Sequence, residues 1–272
     1  MALPQNDHLT RKHLRRFAQE QSPQAALLEQ LLTGSVYTFK DDFDNGINPN
    51  FWLDDEDRGF TWDANSNHGE VEGHVGAVDD DYKRLISRQP LWSPRHRCTL
   101  LTSINLPDIT STKFEVGFAS PVVYPLDVVA GEVLVKATPT AQTNAGNFAV
   151  LCLDTDHNTS CDVITSANGT VSLTASTHIP VLTQPGPFSL MISLYESGGV
   201  SAWINGSLVG QAQIAPSTIS AVYGTGTTGT AHSYLQGSGF YLWFLIQNRA
   251  ASIGRFMRID YAQAWQERVA LA

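Results

Sequence analysis

The sequence predicts a mainly β fold, a sandwich of two antiparallel sheets preceded by a helical N-terminal arm. From Val36 onward, short β-prone runs alternate with turn clusters, the pattern of a sandwich. The composition agrees, since the chain has 21 glycines and 13 prolines but only 16% charged residues. A third observation is local: Asn205-Gly206 lies between two β-prone segments and favours a type I′ turn, which predicts a hairpin over 202–210.

The first predicted element is the arm, residues 1–34. Asp7 can cap a first helix that runs to Gln19, and Ser22-Pro23 begins a second helix that ends at Gly34. The arm combines a basic cluster with an apolar stripe, and we expect it to bind a partner through Arg11, Lys12, Arg15, Arg16, Leu27, Leu28 and Leu31. The other interpretation is that these helices pack on their own sandwich with the basic face in water.

The remaining chain, residues 35–272, is predicted to form one β-sandwich domain. Alternation places Phe114, Val116 and Phe118 on one face of a strand. Further strands are expected at 133–135, 148–153, 188–195 and 240–247, the last two so continuously apolar that both faces should be covered. The glycine-rich stretch 223–239 is expected to form a long loop.

Two segments resemble the first and last strands of concanavalin A-like, laminin-G-like jelly rolls. They are DDFDNGINPNFW at 41–52 and RIDYAQAW at 258–265, and the hairpin at 202–210 is similar to one in the same domains. The resemblance spans about 38–266 and implies a concanavalin A-like jelly-roll β-sandwich. Its motifs mark the fold and bring no catalytic or ligand-binding residues with them.

Charge and cysteine content restrict the functional classes. The net charge of -9 disfavours non-specific binding to nucleic acid. No apolar run is long enough to span a membrane, and the N-terminus lacks the organisation of a signal peptide, so we expect a soluble, non-secreted protein without a membrane partner. The odd number of cysteines, three, argues against a disulfide framework, although Cys152 and Cys161 flank a short loop and could pair.

A search for catalytic carboxylates gives one weak candidate. Glycan hydrolases of the fold that this chain resembles carry two glutamates on one strand, in an E-x-D-x-x-E or E-x-D-x-E arrangement. This chain has no such segment. Glu70 and Glu72 share a face by alternation, but we interpret them as a solvated strand edge. The sequence therefore predicts no catalytic residue and no enzyme.

The best metal candidates are Asp154, Asp156 and Asn158, because closely spaced oxygen ligands suit Ca²⁺. They faintly resemble the metal-binding strand of legume lectins, but Cys152 stands where that motif has a glutamate. A turn stabilised by its own Asp and Asn side chains explains the residues without a metal. We expect no cofactor, with calcium as the alternative.

The leading functional hypothesis follows from the jelly-roll resemblance, the absence of a signal peptide and the basic arm. The chain looks like the laminin-G-like structural proteins of tailed bacteriophages, which implies a non-enzymatic virion protein of the capsid (decoration or minor capsid) or tail. Its expected partners are major capsid or tail subunits and other copies of itself.

The alternative is a carbohydrate-binding module that attaches to host glycans, with Trp62, Trp92 and Trp203 as stacking platforms. A glycan hydrolase or lyase ranks third.

Overall fold

A computed structural model of the protein describes residues 36–53, 58–63, 69–93, 96–120, 135–137, 140–141, 147–156, 161–167, 170–173, 185–195, 199–213, 239–250 and 253–267. In these ranges the chain is mainly β, as predicted, and no helix in them could cross a membrane. Residues 1–35 and residues 223–238 of the loop predicted at 223–239 lie outside the described residues. The helical arm and its seven partner-binding residues therefore stay predictions.

Sixteen strands lie in the described ranges. The first eight are β1 (Val36–Asp41), β2 (Thr61–Asp63), β3 (Glu70–Val75), β4 (Tyr82–Ile86), β5 (Thr99–Leu106), β6 (Thr112–Ser120), β7 (Val135–Ala137) and β8 (Thr140–Ala141). The others are β9 (Asn147–Asp154), β10 (Cys161–Ala167), β11 (Thr170–Leu173), β12 (Gly186–Leu194), β13 (Gly199–Ile204), β14 (Ser207–Gln213), β15 (Tyr241–Asn248) and β16 (Arg255–Glu267).

The strands form two antiparallel sheets and a small β7–β8 pair. The eight-stranded sheet has the order β14-β13-β12-β5-β16-β3-β2, and β1 pairs with the second half of β16. The six-stranded sheet has the order β11-β10-β9-β6-β15-β4. Because β16 is 13 residues long, it holds β3 beside its first half and β1 beside its second. The two ends of the chain segment 36–267 thus meet in one sheet.

The hydrophobic core lies between the sheets and follows the strand alternation. Phe114, Val116 and Phe118 point into it together, as the sequence predicts. Strand β15 is buried along its whole length, with Leu242, Phe244 and Ile246 in the core. Its alternate residues join a second apolar cluster on the outer face of the six-stranded sheet. Because both faces of this strand are covered, its sequence is apolar at consecutive positions.

The predicted hairpin is confirmed. Strands β13 and β14 are joined by Asn205 and Gly206, whose φ angles of 50° and 78° are both positive. This is the backbone that a type I′ turn needs and that Asn-Gly adopts at low cost.

The three cysteines are free and buried. Cys152 belongs to the cluster on the outer face of the six-stranded sheet, whereas Cys161 lies in the core between the sheets. Side chains on opposite faces of neighbouring strands cannot form a disulfide, so the considered pairing does not occur.

Candidate functional site

An open cleft of about 620 Å³ lies on the outer face of the eight-stranded sheet. Its lining combines four carboxylates with one lysine, a tyrosine and small polar groups: Lys40, Asp42, Asp44, Glu70, Ser103, Asn105, Pro187, Asp260 and Tyr261. These residues come from β1 and the turn after it, from β3, β5, β12 and β16. The cleft is therefore polar and carries an excess of negative charge.

The turn after β1 forms one wall. Asp41 holds it, because its carboxylate accepts hydrogen bonds from Trp52 Nε1 at 2.8 Å and from the amide of Phe43 at 2.9 Å. Phe43 has a positive φ of 55° and a fully buried ring. An aromatic residue in this conformation is strained, and burial of its ring in the core offsets the cost. The turn thus carries Asp42 and Asp44 to the cleft while anchoring itself between the sheets.

A charged pair crosses the same wall. Lys40 Nζ lies 3.2 Å from Asp42 Oδ2, and both side chains are exposed. The hydrogen bond from Lys40 lowers the pKa of Asp42, so this carboxylate is ionised at neutral pH.

Gly69 allows the turn to approach β3. Its φ is +65°, and a Cβ at this position would lie 2.5 Å from Asp44 Cα and 2.7 Å from Asp44 Oδ1. No other residue fits without moving the backbone of the turn. Because Glu70 follows Gly69 in the chain, this contact brings the Asp44 turn next to the first carboxylate of β3.

Strands β3 and β16 bring acidic side chains to the centre of the cleft. Arg258 pairs with Glu72 across the strands, and its Nε lies 2.8 Å from Glu72 Oε2 and 3.9 Å from Glu70 Oε2. Ile259 is opposite Val71. The β3–β16 ladder ends at this pair, and Glu70 and Asp260 are the next residues of the two strands. Both line the cleft, so their carboxyl groups share the same open space.

The sequence-based interpretation of Glu70 and Glu72 as a solvated strand edge is wrong. Strand β3 lies between β2 and β16 and is not an edge strand. Both glutamates are on the outer face as predicted, but Glu70 lines the cleft while Glu72 is engaged by Arg258.

A β-bulge in β16 directs two consecutive side chains into the cleft. The pairing with β5 shifts register between Ile259 and Tyr261. A bulge breaks alternation, so Asp260 and Tyr261 both face outward. Burial raises the pKa of Tyr261, and a hydrogen bond with Ser189 opposes part of that rise. The phenol therefore stays protonated at neutral pH and can donate a hydrogen bond within the cleft.

The floor of the cleft is uncharged. Ser103 and Asn105 come from alternate positions of β5, the central neighbour of β16. Their hydroxyl and amide groups can both donate and accept hydrogen bonds, as a polyhydroxylated ligand requires. Two carboxyl groups in one cleft, above such a floor, can supply an acid and a base or nucleophile to one bond of a bound ligand.

A second polar cluster lies on the outer face of the six-stranded sheet, and it is buried. Lys113 Nζ is 2.9 Å from Glu115 Oε1, with both side chains fully buried. Trp243 Nε1 donates to Glu115 Oε2 at 3.0 Å, and Lys113 Nζ donates to Gln247 Oε1 at 3.2 Å. Because every partner is inaccessible to solvent, we assign this cluster to the architecture of the sheet.

The predicted calcium ligands surround an arginine. Arg249 donates to both carboxylate oxygens of Asp154, at 3.1 and 2.9 Å, and also contacts Asp80 and Asp156. A guanidinium thus takes the place that a cation would have beside Asp154. Asn158 lies outside the described residues, and among those described no three His, Cys, Asp or Glu side chains form a metal-binding group.

The three tryptophans predicted to stack on glycans have different environments. Trp92 is fully buried in the core, where a glycan cannot reach it. Trp203 is partly buried and packs against the cluster of Val36, Met191 and Trp265. Trp62 is 43% exposed and lies on β2, where it is opposite the core residue Val71 and so on the other face of the sheet from the cleft.

Comparisons with solved structures show the fold. No protein-family model and no curated protein matches the chain. A protein of unknown function from Shewanella oneidensis MR-1 has 10% identity and a TM-score of 0.53, covering 90% of this chain and 95% of its own. A structure reported with endo-acting O-glycanases of human gut bacteria has 10% identity, a TM-score of 0.53 and coverages of 86% and 99%. The Bacillus licheniformis β-glucanase has 12% identity, a TM-score of 0.51 and coverages of 84% and 97%.

These likenesses confirm the concanavalin A-like jelly roll and correct the functional prediction. The hypothesis of a non-enzymatic virion structural protein is wrong, because the two similar structures named here with an activity are an O-glycanase study and a β-glucanase, and neither is a virion component. The prediction that the chain is not an enzyme is corrected on the same finding. Virion location has no support in these likenesses, and the expected protein partners stay untested predictions.

Proposed function

We propose that the protein is a glycoside hydrolase that binds a glycan in the cleft of the eight-stranded sheet. One observation carries the proposal: Glu70 and Asp260, from the neighbouring strands β3 and β16, both line an open, polar cleft. Two carboxyl groups flanking a glycosidic bond are what glycoside hydrolysis requires.

Neighbouring strands lie about 4.8 Å apart, so we infer a retaining mechanism, which requires two carboxyl groups about 5–5.5 Å apart. One carboxylic acid protonates the glycosidic oxygen as the bond to the anomeric carbon breaks. The other carboxylate attacks that carbon and forms a covalent glycosyl-enzyme. A water molecule, deprotonated by the first group, then releases the sugar and restores both carboxyl groups.

The surrounding residues suit binding of a sugar. Ser103, Asn105 and the protonated Tyr261 offer hydrogen bonds to hydroxyl groups, and Lys40 can donate to a ring or hydroxyl oxygen. The carboxyl pair comes from two strands, so it does not need the single-strand motif that the sequence lacks. The jelly-roll fold that the chain shares with a β-glucanase and with proteins reported as O-glycanases is consistent with this chemistry.

The test is release of reducing sugar from β-glucans and from mucin O-glycans by the purified full chain. We expect the wild-type protein to release sugar from one of these classes. Replacing either carboxyl group, by Glu70→Gln or Asp260→Asn, should lower kcat by at least about a hundredfold, the low end of what general acid–base catalysis contributes.

Asp79→Asn is the matched control, because Asp79 is an exposed acid outside the cleft. This variant should keep wild-type activity. The proposal would be overturned if the wild-type protein released no sugar from any of these substrates. Full activity of both Glu70→Gln and Asp260→Asn would equally exclude this cleft as the active site.

A further inference from the structure

We propose that Arg258 holds the carboxyl group of Glu70 in its ionised form, which makes Glu70 the nucleophile of the hydrolysis and Asp260 its acid/base. This inference rests on the proposed function and names a positioning residue of the same site. Three observations carry it: the anchoring of the guanidinium, its position beside Glu70, and the different charged neighbours of Glu70 and Asp260.

The guanidinium of Arg258 is anchored on the outer face of the eight-stranded sheet. Its Nε donates a hydrogen bond to Glu72 Oε2 at 2.8 Å, and the two residues are opposite each other in the β3–β16 ladder. Its Cζ lies 5.0 Å from the ring centroid of Phe256, which is within the range of a cation–π contact. A charge-assisted hydrogen bond and an aromatic ring together restrict this otherwise flexible side chain.

The anchored guanidinium places its positive charge beside Glu70. Glu70 and Glu72 occupy alternate positions of β3, so both project from the outer face of the sheet. Arg258 Nε is 3.9 Å from Glu70 Oε2, which is too far for a hydrogen bond but close enough for Coulomb attraction. An opposite charge at this distance favours the charged form of a carboxyl group. Arg258 thus stabilises negative charge on Glu70 while its hydrogen bond is made with Glu72.

Acidic side chains from the neighbouring elements also face Glu70, and they act against its ionisation. Asp63 of β2 is opposite Glu70, and Gly69 packs the turn that carries Asp44 against the start of β3. Each of these carboxylates disfavours a further negative charge beside it, so the charge of Arg258 is needed to offset them. The titratable groups around Glu70 are Asp63 of β2, Glu72 of β3, Arg258, Asp260 and Tyr261 of β16, and Lys40, Asp42 and Asp44 of the cleft wall.

Asp260 has a different electrostatic environment from Glu70. In the part of the chain that the structure describes, it forms no ion pair with a basic side chain. A carboxyl group without a cation beside it holds a proton more readily than one that faces an arginine. Asp260 is therefore the group of the pair that protonates the glycosidic oxygen and later deprotonates the attacking water. Glu70 is the group that attacks the anomeric carbon.

Chemical rescue with azide distinguishes the two roles. The probe is a dinitrophenyl glycoside of the sugar that the wild-type protein releases, because this leaving group departs without being protonated. In Glu70→Ala, azide should replace the missing nucleophile and bond to the anomeric carbon as dinitrophenolate leaves, which gives a glycosyl azide of inverted configuration. In Asp260→Ala, Glu70 should first displace dinitrophenolate, and azide should then displace Glu70, which gives a glycosyl azide of retained configuration.

The pH dependence of kcat/KM tests the part played by Arg258. Because loss of the positive charge disfavours negative charge nearby, Arg258→Met should move the acid limb of the profile to higher pH by about one unit. Arg258→Lys keeps a positive charge and should keep the acid limb close to that of the wild-type protein. A general loss of folding would lower the activity without this selective recovery.

Arg58→Met is the matched control, because Arg58 makes the same two kinds of contact outside the cleft. Its Nη1 is 2.9 Å from Asp81 Oδ1, and its Cζ lies 4.5 Å from the ring centroid of Tyr82. This variant should keep the acid limb of the wild-type protein.

If the wild-type protein hydrolyses glycans and Arg258→Met has an unchanged acid limb, the role of Arg258 is wrong and the proposed function stands. The azide products do not depend on how well Arg258→Met folds. A retained azide from Glu70→Ala or an inverted azide from Asp260→Ala therefore overturns the assignment of the two roles in any case. If the wild-type protein cleaves no glycan, both the inference and the proposed function are overturned.

Discussion

Gly69→Ala tests how the cleft is built, because two features of Gly69 exclude a side chain: its positive φ and its close contact with the Asp44 turn. Its φ of +65° is a conformation that alanine adopts at a cost of about 1–2 kcal/mol. Its Cβ would also meet the backbone of Asp44 at 2.5 Å, and such overpacking costs about 1–3 kcal/mol. We therefore expect the free energy of unfolding to fall by about 2–5 kcal/mol. Glycan hydrolysis should fall with it, because the Asp44 turn moves away from Glu70.

Two other glycines separate the two contributions. Gly206 has a φ of +78° and open space around it, so Gly206→Ala should show only the conformational cost. Gly73 has no positive φ, but its Cβ would meet the ring of Phe60 at 2.4 Å, so Gly73→Ala should show only the contact. Urea unfolding followed by tryptophan fluorescence measures all three. A cost for Gly69→Ala no larger than that for Gly206→Ala would refute the argument that the turn is packed against Gly69.

The remaining stability predictions concern buried groups. Lys113→Met should lower the free energy of unfolding by about 3–5 kcal/mol, because it leaves the Glu115 carboxylate buried without its lysine. The double variant Lys113→Met/Glu115→Gln removes both charges and keeps an acceptor for Trp243 Nε1, so it should recover most of that loss in urea unfolding. Equal losses in both variants would contradict a paired origin. Burial raises the pKa of the thiols of Cys98 and Cys161, so a thiol reagent at pH 8 should label both only after unfolding. Rapid labelling of either in the native protein would contradict their burial.

The sequence is sufficient to predict the mainly β class and several strands, because the signals for these are local. Alternation in 114–118 and the Asn205-Gly206 turn each specify their own strand or hairpin, and the structure agrees with both. The buried strand β15 is also visible in the sequence, since a run of apolar residues needs cover on both faces. Pairing between distant strands, such as β1 and β3 on the same edge of β16, leaves no such local trace.

The sequence does not reveal the candidate site, because irregular backbone and pairing between strands far apart in the chain bring its residues together. Asp42, Asp44 and Asp260 lie within the two segments that were interpreted only as markers of the fold. The positive φ of Phe43 and the bulge at Asp260 redirect side chains in a way that alternation cannot predict. Two signals were present: Gly69 directly before Glu70, and Asp260-Tyr261 as adjacent polar residues in a strand that otherwise alternates.

The most direct test of the account is the stereochemistry of hydrolysis. Proton NMR of the anomeric signal shows the configuration of the first product that the wild-type protein releases. Because Glu70 and Asp260 come from the neighbouring strands β3 and β16, the proposed mechanism predicts that the product first appears with the anomeric configuration of the substrate. Release of the inverted anomer would contradict the close spacing of the two carboxyl groups. Failure to release sugar from any of the β-glucans or mucin O-glycans would contradict the assignment of this cleft as an active site.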